Sequence, residues 1–142
     1  MVIGRIADGI FGGVESVASG VGAFFSEPVV RLGVTGLARA GKTVFITSLV
    51  ANLMDRGRMP GLQSARSGAI RAAWLQPQPD DTIPRFAYER HLAAMTGDPP
   101  SWPESTRAVS QLRLSFRVQP SGMIGAVSGP RTLHLDIVDY PG

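Results

Sequence analysis

The sequence predicts an α/β fold in which a strand runs through a glycine-rich loop into a helix, and two adjacent strands follow after a long insert. Three observations carry this reading. Gly36-Leu-Ala-Arg-Ala-Gly41-Lys42-Thr43 fits G-x-x-x-x-G-K-[ST], with an apolar run before it and a helical face after it. Leu112, Leu114, Phe116 and Val118 alternate with polar residues at the period of a strand. A second apolar run, Thr132 to Val138, ends in Asp139-Tyr-Pro-Gly142.

The 142 residues suffice for one domain with a real core, and 44% apolar against 18% charged residues places the chain in the globular class. The absence of cysteine excludes a disulfide framework and any Cys-based zinc site, and it agrees with a reducing, cytoplasmic setting. The formal charge is only +3 and no Lys/Arg run tracks a polyanion, so nucleic acid is not expected as a partner. Thirteen of the fourteen cationic residues are arginine; the single lysine is Lys42, inside the glycine-rich motif. A compact ammonium on a slim stem suits that position better than a planar guanidinium.

Residues 1–27 read as an apolar, Gly-rich N-terminal segment ahead of a partial nucleotide-binding domain at 28–142. Ile3, Ile6, Ile10, Val14, Val17, Val21 and Phe24 recur at helical steps, but six glycines in the stretch weaken a helix by roughly 1 kcal/mol each. Arg5, Asp8 and Glu15 interrupt it too often for a spanning helix. Docking onto the protein's own body and attachment to a membrane or partner surface both remain open. Val29–Thr35 reads as a buried strand. A helix is expected from Lys42 to Arg56, with Ile46, Leu49, Val50, Leu53 and Met54 on its inner face and Gly57 as its stop. Residues 58–106 hold seven of the eleven prolines and read as a long excursion. One helix is expected within it, from Pro84 to Met95, with Asp81 or Thr82 as N-cap. A half-buried strand is expected over 111–119, then a Gly/Ser/Pro turn region, then the strand leading to Asp139. Two strands joined so briefly are expected to be antiparallel. No internal repeat is visible.

The glycine-rich motif has a physical rationale at each fixed position. Successive backbone N–H groups of Gly36, Ala38, Arg39, Ala40, Gly41, Lys42 and Thr43 must turn inward to cradle phosphate, and glycine allows the dihedrals and close approach this needs. The following helix directs its positive N-terminal end at the same phosphates. Lys42 reaches the β/γ oxygens, and the Thr43 hydroxyl is the candidate Mg²⁺ ligand. At the carboxyl end of the last strand, Asp139 is the candidate metal-side carboxylate, and Gly142 offers its N–H to a γ-phosphate. Asp136 lies three residues earlier and is expected on the other face in a structural role. A third part is expected between these two: a hydroxyl that closes over the metal when the γ-phosphate is present. Ser105 and Thr106 stand before the 111–119 strand, and Thr106 is the candidate, against an ordinary hydroxyl in a turn. Arg39 has two readings: it leans over the phosphates as a charge stabiliser, or it points to solvent or to another segment.

In order of parts, the chain resembles the N-terminal half of a Ras-like P-loop GTPase fold: strand, P-loop and helix, a switch-like insert, then two adjacent strands. It resembles the YcjX-like family of bacterial stress-inducible P-loop proteins more specifically. That resemblance spans 31–142 and is carried by residues 34–48, by PDDTIPRFAY at Pro79–Tyr88, and by WPESTRAVSQLRL at Trp102–Leu114. It implies GTP/GDP and Mg²⁺ as cofactors, slow GTP hydrolysis, and a role in stress response. It also implies a cytoplasmic protein, peripheral at the inner membrane where a membrane-associated protein partner is engaged. The base-reading N/T-K-x-D motif does not occur in these residues, and three strands would leave one edge of the P-loop strand open. An N-terminal piece of a longer chain is therefore expected. Rival readings on the same motif are an ATP-binding P-loop NTPase and a non-hydrolysing, membrane-recruited nucleotide-binding module.

Overall fold

The computed structural model of the chain describes residues 26–55, 58–59, 61–63 and 67–142. The readings placed on residues 1–25, and the helix end at Arg56 with its stop at Gly57, lie outside the described residues. Within them the order is β1 (Val29–Val34), α1 (Lys42–Met54), β2 (Ile70–Gln76), α2 (Tyr88–Thr96), β3 (Ser110–Val118), α3 (Gly122–Ser128) and β4 (Arg131–Asp139). The four strands form one mixed sheet in the order β1–β4–β3–β2. β1 runs parallel to β4, while β3 is antiparallel to both β4 and β2.

One face of the sheet makes the core. Leu112, Leu114, Phe116, Leu133, Leu135 and Ile137 project from β3 and β4 and pack with Ile46, Val50 and Leu53 of α1. Each such side chain removed from water contributes roughly 1.5–3 kcal/mol, so this layer dominates the favourable side of folding. The opposite face is polar yet tightly covered in its centre. Asp136 and Ser115 are both fully buried there. Arg113 forks onto Asp136 at 2.6 and 2.8 Å. Ser115 Oγ meets His134 Nδ1 at 2.7 Å, and His134 Nε2 meets Glu27 Oε2 at 2.7 Å.

Six expectations are corrected. The excursion at 58–106 contains a strand, β2, which pairs with the open edge of β3 and makes the sheet four-stranded rather than three-stranded. β1 is an edge strand with Val29, Arg31 and Gly33 exposed, not a buried one, because β4 pairs with one side only. α2 starts at Tyr88 with Ala87 as N-cap, not at Pro84. Residues 84–86 are instead drawn out along β3, where Gln111 N–H donates to Pro84 O and Phe86 N–H donates to Gln111 O, both at 2.9 Å. Thr82 does not cap the helix, since its N–H and hydroxyl both donate to Asp80 Oδ1 in a local turn. β3 buries Gln111 and Ser115 on its outer face as well as its core face, while Arg113 is half-buried and Arg117 stays exposed. The turn region before β4 includes the short helix α3.

The register then brings the conspicuous residues together. Val34 and Asp139 are partners in the parallel β1–β4 pair, and Tyr140 N–H extends the ladder to Val34 O at 3.0 Å. The loop after β1 and the segment after β4 therefore leave the sheet side by side. Carboxyl ends of parallel strands are where α/β sheets hold ligands.

Candidate functional site

The loop 36–41 is shaped by its own backbone. Gly36 and Gly41 take φ 154° and 87°, and Ala40 N–H donates to Leu37 O at 3.1 Å. Gly41 caps α1 in the left-handed region, and the first helical bond is Phe45 N–H to Gly41 O at 2.8 Å. The N–H groups of Lys42, Thr43 and Val44 precede that bond, so the helix offers them no acceptor. Thr47 hydroxyl donates back to Thr43 O at 2.7 Å and fixes the first turn. Lys42 curls over the loop, its Nζ donating to Gly36 O at 2.9 Å and Leu37 O at 3.0 Å. An ammonium held by two carbonyls within the loop is positioned to exchange them for phosphate oxygens.

Thr43, Thr106 and Asp139 converge although they are 33 to 96 residues apart in sequence. Thr106 Oγ1 donates to Asp139 Oδ2 at 2.7 Å and lies 3.1 Å from Thr43 Oγ1. Asp139 is 1% exposed, and its other oxygen, Oδ1, is buried without a hydrogen-bond partner among the described residues. A buried carboxylate oxygen left in this way is costly unless something else satisfies it. Two hydroxyls and one carboxylate form an all-oxygen donor set, the kind a hard cation such as Mg²⁺ takes through one or two protein ligands with water and phosphate. Gly142 completes the wall: a side chain there would run into Gly36 O and Ala38 N. Its backbone lies against the phosphate loop. Asp136, as expected from its odd offset, faces away and is held by Arg113, whose guanidinium is in turn pushed up in pKa first by that hydrogen bond.

The segment Trp102–Thr106 lies across the loop from Ala38–Val44 and leaves a cleft of about 20 Å³ between them. That is room for about one water. A phosphate chain enters only if this segment or the Lys42 side chain gives way. Arg39 lines this cleft and also a larger neighbouring one of about 490 Å³ beside Trp102, Pro103 and Glu104. On the far side of Thr106 and Asp139, a cleft of about 520 Å³ is lined by Arg85, Arg90, His91 and Arg107. Burial, aided by Arg90, pulls the His91 pKa below the ordinary histidine value, against the opposing charges of Asp139 and Glu104. No sequence signal marks this third cleft, because it depends on residues 84–86 being drawn onto β3. The Arg113–Asp136 pair was equally hidden, since opposite charges become partners only once the register is known. Among the described residues no helix is long and apolar enough to cross a membrane.

The family model of the YcjX-like family, DUF463, matches residues 30–142. "Ras-like GTPase YcjX" of Escherichia coli (strain K12) is 44% identical over 116 residues, and the protein of that name from Shewanella oneidensis is 44% identical over 124 residues. These alignments cover 79% of this chain in both cases, but 25% and 26% of the relatives. The chain thus spans about a quarter of the length of the curated relatives it matches.

Proposed function

This chain belongs to the YcjX-like family, and from that premise we propose that its site binds GTP or GDP with Mg²⁺ and contributes to slow GTP hydrolysis. The observation that supports this most directly is the meeting of Thr43, Thr106 and the unpartnered Asp139 Oδ1 at the mouth of the Lys42 loop. The choice of guanine rests on the names of the relatives.

Each residue then has a role. Backbone N–H groups from Gly36 to Thr43 hold the phosphates, and Gly142 N–H meets the γ-phosphate. Lys42 leaves its loop carbonyls and donates to the β and γ oxygens. The Thr43 and Thr106 hydroxyls and the Asp139 carboxylate would hold the cation. Bound Mg²⁺ supplies neutralisation of the charge between the β- and γ-phosphates. Because Thr106 belongs to the segment that closes the cleft, its engagement couples nucleotide state to the position of residues 102–106, as a switch requires. The stress-response role and a membrane-associated partner enter the proposal from the family resemblance alone.

Titration of the full chain with fluorescent GDP and ADP, in Mg²⁺ and in EDTA, tests the reading. The expected result is preference for GDP, strengthened by Mg²⁺, with Lys42→Ala weakening binding by about 100-fold or more, as loss of charged hydrogen bonds implies. Tighter binding of ADP overturns the base assignment, and retained affinity in Lys42→Ala overturns the site.

A further inference from the structure

We propose that Arg39 is a catalytic residue of this site, an arginine built into the glycine-rich loop whose guanidinium stabilises the charge that grows on the β–γ bridging oxygen as the γ-phosphoryl group is transferred. The inference rests on the GTP hydrolysis proposed above and adds a residue to its chemistry.

Three observations converge on it. Arg39 is the one non-glycine residue among those described with a positive φ, at 62°. Glycine or asparagine would occupy the left-handed region with less strain, so an arginine there is a poor choice for the backbone alone. Strained backbone that persists in a ligand-facing loop points to a role for the side chain. The second observation is position. Arg39 shares the narrow cleft with Lys42, Thr43 and Thr106, and it is the loop residue that also faces Trp102 and Glu104 across the neighbouring cleft. The third is that its guanidinium has no hydrogen-bond or ion-pair partner among the described residues, whereas Arg58, Arg85 and Arg113 are each committed to a carboxylate. An uncommitted planar fork of N–H donors at the mouth of a phosphate cleft matches the geometry of phosphate oxygens.

The step is phosphoryl transfer to water. A bond forms between the water oxygen and Pγ, the bond from Pγ to the β–γ bridging oxygen breaks, and its electron pair stays on GDP. The water proton ends on the inorganic phosphate. Negative charge grows on the bridging oxygen during this step, and a guanidinium aimed there stabilises the transition state more than the bound nucleotide. Lys42 is engaged in both states, so Lys42 governs binding and Arg39 governs rate.

The test compares wild type, Arg39→Asn, Arg39→Gly and Arg39→Lys in the full chain. Four quantities are read: GDP affinity, single-turnover GTP hydrolysis, affinity for GDP with fluoroaluminate, and melting temperature. The Asn and Gly variants are expected to keep GDP affinity within about 3-fold and to melt at or above the wild-type temperature. They are expected to lose about 30-fold or more in hydrolysis and a similar factor in fluoroaluminate affinity, a loss confined to the transition state. Lys should restore part of the rate. Hydrolysis within about 3-fold of wild type in the Asn variant overturns the proposal. So does a loss of GDP affinity or melting temperature that matches the loss of rate, which would make Arg39 a support of the loop. A wild type that binds GTP without hydrolysing it removes both this proposal and the hydrolysis reading; a hydrolysing wild type with unaffected variants removes this one alone.

Discussion

Gly142 shows how one absent side chain shapes the site. Its backbone rests against Gly36 O and Ala38 N, and a Cβ would overlap both. Neither side can retreat easily, since Tyr140 is tied to Val34 by the continued ladder and Gly36 belongs to the strained loop. Gly142→Ala should therefore push residues 140–142 off the loop and weaken binding of a non-hydrolysable GTP analogue with Mg²⁺ by about 10-fold or more, by the loss of one charge-assisted hydrogen bond to the γ-phosphate. Nucleotide titration checks it, and unchanged affinity would mean that the segment does not rest there in solution. A second residue gives a pH signature. Arg85 donates to both oxygens of Glu89 at 2.8 Å, and this pair pulls the carboxyl down to about 2. A carboxyl depressed in the folded state stabilises it above the unfolded value near 4.5, and that contribution fades as pH falls toward 2. Glu89 is 62% exposed, so solvent screening limits the effect to about 0.5 kcal/mol. Urea melts of Glu89→Gln against wild type should differ by about that amount at pH 6 and converge near pH 2.

Between elements, the strongest single contact on the outer sheet face is the fork of Arg113 on β3 against Asp136 on β4. Asp136 is fully buried, so Arg113→Ala strands a carboxylate and should cost about 3–5 kcal/mol in a denaturant melt. Replacing both, Arg113→Met with Asp136→Leu, should recover much of that loss; a double variant as unstable as the single would show that something other than the pair was broken. The same strands show what a sequence can and cannot display. The glycine-rich loop and α1 were legible because their signals are local: fixed glycines, and Ile46, Val50 and Leu53 at helical steps. The core side of β3 was legible through strict alternation. Its outer side was not, because Arg113 and Ser115 read as solvent-facing until β4 supplies Asp136 and His134 opposite them. β2 was missed for a related reason. Ile70-Arg-Ala-Ala-Trp-Leu-Gln76 carries two alanines and no sustained alternation, and it is a strand because β3 offers it an edge. The start of α2 was misjudged because Pro84 looks like a helix-opening proline, whereas Gln111 draws residues 84–86 out straight. In the site, Lys42, Thr43 and Asp139 could be named from motifs. Thr106 could be named only as the hydroxyl preceding a strand, and the cleft around His91 not at all.

Across the whole molecule, the site is assembled from three segments that no short stretch of chain connects: the loop after β1, residues 102–106, and the end of β4. Among the described residues, the bonds joining them are few. Thr106 reaches Asp139 and Thr43, and Tyr140 reaches Val34, while Lys42 is turned inward to its own loop. A nucleotide with Mg²⁺ would bridge all three, so binding should stabilise the fold globally rather than locally. For a ligand that binds only the folded state, the gain is about 2.7 kcal/mol at a concentration 100 times Kd. That gain corresponds to a rise of several degrees in melting temperature for a domain of this size. The dependence on each segment should then separate. Lys42→Ala should lose the shift whether or not Mg²⁺ is present, since the phosphates themselves are no longer held. Thr106→Val should keep the part of the shift seen in EDTA and lose most of the part added by Mg²⁺, because the valine fills the same volume with no oxygen to offer. Asp139→Asn should behave like Thr106→Val, and combining the two should cost less than the sum, as for residues that serve one bound group. Thermal melts with a non-hydrolysable GTP analogue, in Mg²⁺ and in EDTA, read the four variants against wild type in one series. Strict additivity of the Thr106 and Asp139 losses would mean that the two oxygens do not share a cation, and the closing segment would then need a different reason to lie where it does.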